Sequence, residues 1–459
     1  MAVIYLVAFL VAANQFRPLL GRQGMLPIPA YVRRVPFRKA PSVFHAHYSD
    51  RFFAAVAWLG VAVAAAAASG VTDHAPAGAS MAVWLAMWAL YLSIVNVGQT
   101  WYSFGWETLL LEAGFLAIFV GPADMAPPTL LLVLIRWLVF RVEFGAGMIK
   151  MRGDECWRDL TCLVYHHETQ PMPGPLSWWF HRLPVPLHKA EALGNHVAQL
   201  VLPFLLFTPQ PVAGVAAAAI IVTQVWLMVS GNFSWLNAVT IAIALPALGD
   251  GILGRLVPVS PPETLRDAPA WHEGLVIGLA GLVVVLSVRP VLNLVSSGQV
   301  MNTTFDPLRL VNTYGAFGSI TRIRREVIVE GTADDVITPT TEWRGYEFKG
   351  KPGDPMRRPR QFAPYHLRLD WLMWFIPLSP RYGHSWFVPF LERLLQDDRD
   401  TLKLLRVNPF ADAPPTFVRA RLFRYRFTTR AEHKATGAWW HREPIGTLVT
   451  PMRLPKDTW

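Results

Sequence analysis

Residues 134–150 read LIRWLVFRVEFGAGMIK, an apolar run that carries Arg136, Glu143 and Lys150 at intervals of seven. Seven residues make almost two turns of an α-helix, so these side chains share one face, with Arg141 to one side of it. That face cannot point toward lipid, because each unpaired ionisable group inside a bilayer costs several kcal/mol. The segment is therefore predicted to span a membrane with its charged face turned into a helix bundle.

Apolar runs on both sides of this segment predict further spans. The runs cover residues 52–70, 81–99, 104–121, 129–149, 197–208, 213–230, 233–249 and 273–295, in addition to an N-terminal run at 1–13. The N-terminal run is shorter than the ~20 residues that a spanning helix needs, so we expect it to enter the membrane only partly or to continue a helix begun upstream. Together the runs predict a polytopic α-helical membrane protein with about eight or nine transmembrane helices.

Composition agrees with membrane insertion, since 53% of the residues are hydrophobic and only 16% are charged. The net charge is +10, and residues 301–459 contribute most of it with 25 Lys and Arg against 17 Asp and Glu. A basic domain held beside a membrane is better placed to meet lipid headgroups or a protein than nucleic acid. We therefore expect membrane lipid and a protein as partners, and no nucleic acid.

The pattern changes beyond Gly298 from long apolar runs to the alternation typical of strands, as in residues 322–329. Residues 417–429 form a second strand candidate, whereas 386–395 and 401–406 look helical. The sequence thus predicts a C-terminal mixed, β-rich domain.

Two domains follow from this change of pattern. The first is a transmembrane helical domain, residues 1–298, which includes a polar cap loop at 151–195. The second is an extramembrane domain, residues 299–459, expected to pack against the membrane part.

The cap loop and the residue that follows it concentrate polar chemistry. Its histidines are His166, His167, His181 and His188, followed by His196. None of these has the spacing of a strong metal motif, because HHE is not HExxH. Walker, Rossmann and GxSxG signatures are also missing from the sequence, so we expect no metal and no cofactor. The two cysteines, Cys156 and Cys162, are separated by five residues and are consistent either with a local disulfide or with two free thiols.

The charged helix face has two interpretations. In the first, Arg136, Arg141 and Glu143 belong to a buried charge network that holds the helices in register, with Glu107 or Glu112 pairing with at least one of Arg136, Glu143 and Lys150. In the second, the face lines a polar cavity used for chemistry or ligand binding. Lys150 matters most in the second case, because a desolvated lysine can act as a base or nucleophile.

Several long blocks resemble the lipase maturation factor family. They include YSFGWETLLLEAGF at 102–115, RGDECWRDLTCLVYHHETQPMPGPLSWWFHRLP at 152–184 and NTYGAFGSITRIRREVIVEGT at 312–332. The resemblance implies a multispanning protein of the endoplasmic reticulum membrane, or of the plasma membrane if the source is bacterial. It also implies a non-enzymatic, chaperone-like role in the maturation of a client such as a secreted lipase.

A shorter block, FGAGMIKMRGDECW at 144–157, resembles the lysine-bearing helix end of vitamin K-dependent gamma-carboxylase. This resemblance implies an alternative function, a membrane-embedded enzyme with Lys150 as its catalytic base.

The family resemblance carries two further expectations. A lumenal cap loop implies that Cys156 and Cys162 form a disulfide. A client is expected to bind exposed aromatic residues of the C-terminal domain, because Trp and Tyr dominate interface energies. The residues assigned to this surface are Trp343, Tyr346, Trp371, Trp374, Trp439 and Trp440.

Overall fold

A computed structural model describes residues 1–256 and 264–455 of the chain. Up to residue 295 the described chain is helical. Its helices are α1 (Ala2–Leu20), α2 (Ile28–Arg34), α3 (Asp50–Ala68), α4 (Ala77–Val97), α5 (Gly105–Ala117), α6 (Thr129–Arg152), α7 (Glu155–Arg158), α8 (Leu163–Thr169), α9 (Ser177–Phe180), α10 (Val185–Leu200), α11 (Leu202–Leu205), α12 (Val212–Ser230), α13 (Leu236–Ala244), α14 (Asp250–Leu256) and α15 (Ala270–Val295).

Five helices in the described part of the chain, α1, α3, α4, α12 and α15, are long and apolar enough to cross a membrane. The expected number of eight or nine spans is therefore not confirmed. Helix α6 has 24 residues but carries the charges described above, and α5 has only 13. The run at 197–208 is divided between α10 and α11, where Pro203 follows the break, and the run at 233–249 passes into a 3-10 turn at Leu245–Ala247.

The N-terminal helix is longer than its apolar run. Helix α1 continues through Asn14 and Gln15 to Leu20, so it does not stop at residue 13. The polar Gln15 is buried and satisfied, because its Nε2 donates to the carbonyl oxygen of His366 at 2.7 Å and its Oε1 accepts from the backbone N–H of Arg368 at 3.1 Å. Because His366 and Arg368 of the C-terminal part satisfy the side chain of Gln15, this polar turn of α1 can be buried.

Beyond residue 295 the chain forms the expected β-containing region. Its elements are β1 (Arg324–Thr332), β2 (Arg344–Gly345), β3 (Glu347–Phe348), α16 (Arg368–Met373), α17 (Phe387–Leu395), α18 (Arg399–Leu402), β4 (Leu405–Val407), β5 (Phe417–Phe427), α19 (Arg430–Thr436) and β6 (Trp440–Met452). Four strands form an antiparallel sheet in the order β2-β1-β5-β6, and β3 pairs with β4. The helix predicted at 401–406 is wrong in its second half, because Leu405 and Val407 pair with β3.

The helical part and the C-terminal region share one apolar core. Their contact is aromatic: the ring of Trp106 on α5 lies 4.8 Å from that of Trp371 on α16 and 5.1 Å from that of His366. The region after residue 298 therefore packs directly on the helices that carry the buried charges.

Candidate functional site

The first buried charge cluster joins α5 and α6 to the segment after α15. Arg141 forms an ion pair with Glu112 and donates from Nη1 to the carbonyl oxygen of Asn312 at 2.7 Å. Glu112 also accepts from the hydroxyl of Tyr314 at 2.7 Å and from the backbone N–H of Asn312 at 3.0 Å. Because both charges are almost fully buried, this network fixes residues 312–314 against the two helices.

The second cluster joins α5 to α16. The Nη1 of Arg368 lies 2.7 Å from the Oε1 of Glu107, and both side chains are fully buried. Tyr91 donates its hydroxyl proton to the same carboxylate, and the guanidinium lies 3.4 Å from the ring centre of Tyr102. This arginine belongs to the C-terminal region and was not among the residues selected from the sequence.

These two clusters correct the predicted pairing. Glu107 and Glu112 do hold buried ion pairs, but their partners are Arg368 and Arg141 instead of a residue at the seven-residue spacing. Helical spacing predicts which residues share one face of α6. The ion-pair partners, however, depend on which other segments pack beside that helix.

The three aligned residues of α6 hydrogen-bond to neutral groups, although the Nε of Arg136 has no partner among the described residues. Arg136 is half-buried and donates to the carbonyl oxygen of Leu206 at 3.2 Å. Glu143 accepts from the Nε2 of Gln224 at 2.7 Å. Lys150 donates to Asn195 at 2.9 Å and to Gln199 at 2.7 Å, and within the described residues it has no carboxylate oxygen within 4.0 Å.

Glu143 and Lys150 line a cavity of about 1080 Å³. Its wall comes from α6, α10, α12 and α13, and from residues 297–302, 314–319 and 371–382. The volume lies at the upper end of the roughly 300–1,000 Å³ typical of ligand pockets. The two interpretations of the charged face predicted a buried charge network and a polar cavity. The structure contains both buried ion pairs and a cavity.

Two of the cap histidines, His166 and His167, line this cavity. Burial lowers the pKa of His166 to about 3 and that of His181 to about 4, so both rings are neutral at pH 7. The Nε2 of His196 lies 2.9 Å from the carbonyl oxygen of Trp157.

His167, His188 and Glu191 form a separate group whose ligand atoms lie within 4.8 Å of one another. A set of two imidazoles and one carboxylate is one that zinc uses, so this group is able to hold a cation. Sequence reasoning missed it because His167 lies on α8, whereas His188 and Glu191 lie on α10.

The two cysteines join residues within the cap, and one surface ion pair joins the cap to the C-terminal region. Cys156 and Cys162 are joined through their Sγ atoms, with their Cα atoms 4.8 Å apart. Asp154, which caps α7, lies 2.6 Å from the Nη1 of Arg322. Hydrogen bonds from Arg322 hold the pKa of the Asp154 carboxyl well below its usual range.

A third buried cluster lies where β1 meets the cap. Glu326 pairs with Arg324 at 2.5 Å and with Lys351 at 3.1 Å, and Arg324 also donates to the carbonyl oxygen of Gln170 at 2.5 Å. Burial lowers the pKa of Lys351 to about 8, although Glu326 opposes this shift. The cap covers these charges, since Arg324 and Lys351 donate to the carbonyl oxygens of Gln170 and Pro171.

The six aromatic residues predicted to bind a client divide into two groups. Tyr346, Trp371 and Trp440 are buried, which corrects their expected exposure: they fill the core. Trp343 is half-buried beneath the guanidinium of Arg419, and Trp374 donates its indole N–H to the carbonyl oxygen of Thr169 at 2.9 Å.

Trp439, the sixth of these residues, belongs to an accessible aromatic patch. The patch also includes Trp179 from the cap, whose ring centre lies 5.4 Å from that of Trp439. The guanidinium of Arg358 lies 4.7 Å from the ring centre of Trp179 and 5.4 Å from that of Trp439. Trp179 and Arg358 are exposed, and the sequence analysis did not select either of them.

Comparison with known proteins adds family information to this geometry. A model described as the lipase maturation factor transmembrane domain matches residues 1–255, and one described as the lipase maturation factor C-terminal domain matches residues 310–450. No solved structure matches the chain.

Relatives among curated proteins match along nearly the whole chain. Lipase maturation factor 1 of Mus musculus is 42% identical, and the match covers 99% of this chain and 86% of the relative. The Homo sapiens protein of the same name is 41% identical with the same coverage. Lipase maturation factor 2 of Gallus gallus is 27% identical over 100% of this chain and 81% of the relative. These matches lend no support to the carboxylase-like alternative.

Proposed function

Since this chain belongs to the lipase maturation factor family, we propose that it is a membrane-embedded factor that assists the folding of a secreted lipase or another exported client. The observation that carries the proposal is the 42% identity to a lipase maturation factor over 99% of the chain. An identity of this extent covers the helices, the cap and the sheet together. The proposed role therefore belongs to the whole assembly.

The chain is an integral membrane protein, and we propose the endoplasmic reticulum membrane as its site in a eukaryote and the plasma membrane in a bacterium. The cap and the domain at 299–459 would then face the lumen or the extracytoplasmic space. A disulfide between Cys156 and Cys162 fits this placement, because disulfides persist in oxidising compartments. The same placement would put Trp179 and Trp439 on the side where an exported client folds.

The patch of Trp179, Arg358 and Trp439 is the proposed client contact. Tryptophan and arginine are enriched among residues that dominate binding energies. Here they are supplied jointly by the cap and by the C-terminal region. A client bound there would contact both parts of the molecule.

The test is secretion of an active dimeric lipase from cells that lack their own maturation factor. The intact chain should restore lipase activity in the medium, and the double variant Trp179→Ala, Trp439→Ala should restore much less at equal membrane abundance. Trp58→Ala is the matched control, because Trp58 is an exposed tryptophan of α3 outside the patch. Full restoration by the double variant would remove the patch from the proposal, and failure of the intact chain would remove the proposed function itself.

The carboxylase-like alternative rests on one observation: Lys150 lies at the wall of a cavity and forms no ion pair with any residue that the structure describes. A base must reach its substrate, and this geometry would allow it. The Nζ atom, however, hydrogen-bonds to two amide oxygens, which are not proton relays. Comparison of the variants Lys150→Met and Glu143→Gln tests this alternative.

A further inference from the structure

We infer that the cavity at Lys150 binds an amphiphile with an acyl chain, whose anionic head lies at the lysine. This inference does not depend on client maturation, since it concerns only what the cavity holds. It rests on three properties of the cavity: its cations, its apolar wall and its opening.

Among the described residues, the cations of the cavity form no salt bridge. Lys150 has three N–H donors; Asn195 and Gln199 accept two of them, and the Nζ atom lies 4.9 Å from the ring centre of Trp157. Arg152, which also lines the cavity, donates to the carbonyl oxygen of Leu294 and to the Oε1 of Gln299, both at 2.7 Å. A buried cation that meets only neutral oxygens is stabilised further when an anion binds beside it.

The carboxylates of the same cavity are already engaged. Glu143 accepts from Gln224, whose own Oε1 accepts from Asn237 at 2.7 Å. Glu191 accepts from the indole N–H of Trp226 at 2.7 Å and lies 3.2 Å from the Nε2 of His167. Because these carboxylates already accept hydrogen bonds, they do not pair with Lys150. The end of the cavity at Lys150 is therefore where an anionic head binds.

Much of the cavity wall is apolar and suits an alkyl chain. It includes Leu163, Phe233, Leu236, Phe317, Trp371 and Phe375. Each methylene group that is removed from water adds to the hydrophobic free energy of binding, so a long chain against this wall adds substantially to binding.

The cavity reaches the apolar surface of the helical part. Val222 and Trp226 of α12 line it and are 67% and 44% exposed, and Leu187 of α10 lines it and is 51% exposed. Helix α12 is one of the candidate spans, so Val222 and Trp226 are placed to border lipid, whereas Leu187 lies in the cap. A ligand can therefore enter from the bilayer with its chain first exposed to apolar surroundings.

Two sources provide this chemistry, a free fatty acid and an anionic phospholipid. The experiment is binding of radiolabelled palmitate to the full chain in neutral-lipid nanodiscs, with unlabelled palmitate, methyl palmitate and dioleoyl phosphatidate as competitors. Palmitate should compete at least tenfold better than its methyl ester, because only the acid offers an anion to Lys150. Stronger competition by phosphatidate would assign the site to a phospholipid head, and equal competition by acid and ester would overturn the inference.

Variants separate the head site from the chain site. Lys150→Met should remove the preference for acid over ester, whereas Lys189→Met, at an exposed lysine of α10, should keep it. Gly194→Trp should lower binding of both ligands, because Gly194 lines the cavity and a Cβ at this position would have no atom within 4 Å, which leaves an indole room to fill the opening. Unchanged palmitate binding in Gly194→Trp would overturn the inference even if Lys150→Met does not fold.

Discussion

At the scale of single residues, this protein depends on buried charges whose partners come from distant parts of the chain. Glu107 and Arg368 are fully buried and 261 residues apart in sequence. Removing one member of such a pair leaves the other without compensation, which is far more costly than the net value of the pair.

Arg368→Met should therefore destabilise the protein by about 3–5 kcal/mol, because it leaves Glu107 buried and unpaired. The measurement is chemical unfolding in detergent. Arg381→Met, at an exposed arginine, is the control and should change the free energy of unfolding by less than about 0.5 kcal/mol. The double variant Arg368→Met, Glu107→Gln should recover part of the loss; a loss below about 1 kcal/mol in the single variant would contradict the proposed role of the pair.

The Asp154–Arg322 pair should make stability depend on pH. The pKa of the folded Asp154 carboxyl lies below its unfolded value of about 3.9, so its contribution is present above pH 4 and is lost as the pH falls further. Because Arg322 is 42% exposed, we expect only about 1 kcal/mol after screening by solvent. Asp154→Asn should lower the unfolding free energy at pH 7 but have a smaller effect at pH 3; an equal loss at both values would refute the ionic explanation.

At the scale of elements, helix α6 combines a structural face and a cavity wall. Arg141 fixes α5 and the segment at 312–314, while Glu143 and Lys150 meet amide groups from α10 and α12. In helix α6, Arg141 therefore serves packing against neighbouring segments, whereas Glu143 and Lys150 line the cavity.

We expect Glu143→Gln and Lys150→Met to lower stability by similar amounts, roughly 1–3 kcal/mol, because each disturbs buried hydrogen bonds. Thermal unfolding of the purified proteins measures this, and secretion of an active client measures function. Loss of function from Lys150→Met alone, with folding intact, would instead favour chemistry at Lys150.

The cap loop gives a second prediction at this scale. Mass spectrometry of non-reduced protein should recover Cys156 and Cys162 as a disulfide-linked pair. Because the closed loop is short, replacing both by Ser should cost at most about 3 kcal/mol. Recovery of both thiols in free form from protein isolated without reductant would show that the pair stays reduced.

At the scale of the whole molecule, the C-terminal region completes the membrane part. It supplies Arg368 to Glu107 on α5 and both Asn312 and Tyr314 to Glu112. Glu107 therefore has its ion-pair partner beyond residue 298, and Glu112 has two of its hydrogen-bonding residues there.

Removing residues 299–459 should consequently destabilise the helices and not release an independent membrane domain. Size-exclusion chromatography of the truncated chain should show aggregation, and Glu107→Gln should restore part of the monodisperse peak, because truncation removes Arg368 and a neutral side chain is less costly to bury than an unpaired carboxylate. A monodisperse truncated protein without this substitution would mean that the helices fold on their own.

The sequence by itself determined the membrane character, the helical charge face of α6 and the β-containing C-terminal region, because these follow from local hydrophobic period and composition. It also identified β1 and β5, since alternation is a property of neighbouring residues. The predicted count of eight or nine spans is not confirmed, since the described residues contain five helices long and apolar enough to cross a membrane, and two of the apolar runs are interrupted near Pro203 or end near Pro246.

Only the tertiary structure decided which charges pair, which aromatic residues are exposed and where the cavity lies. Arg368 reaches Glu107 because α16 packs on α5, and nothing in the spacing of either residue indicates that contact. Tyr346, Trp371 and Trp440 are buried for the same reason: their surroundings are assembled from segments distant in sequence. Pairing, exposure and enclosed volume depend on contacts between such segments, whereas periodicity records only what each segment prefers alone.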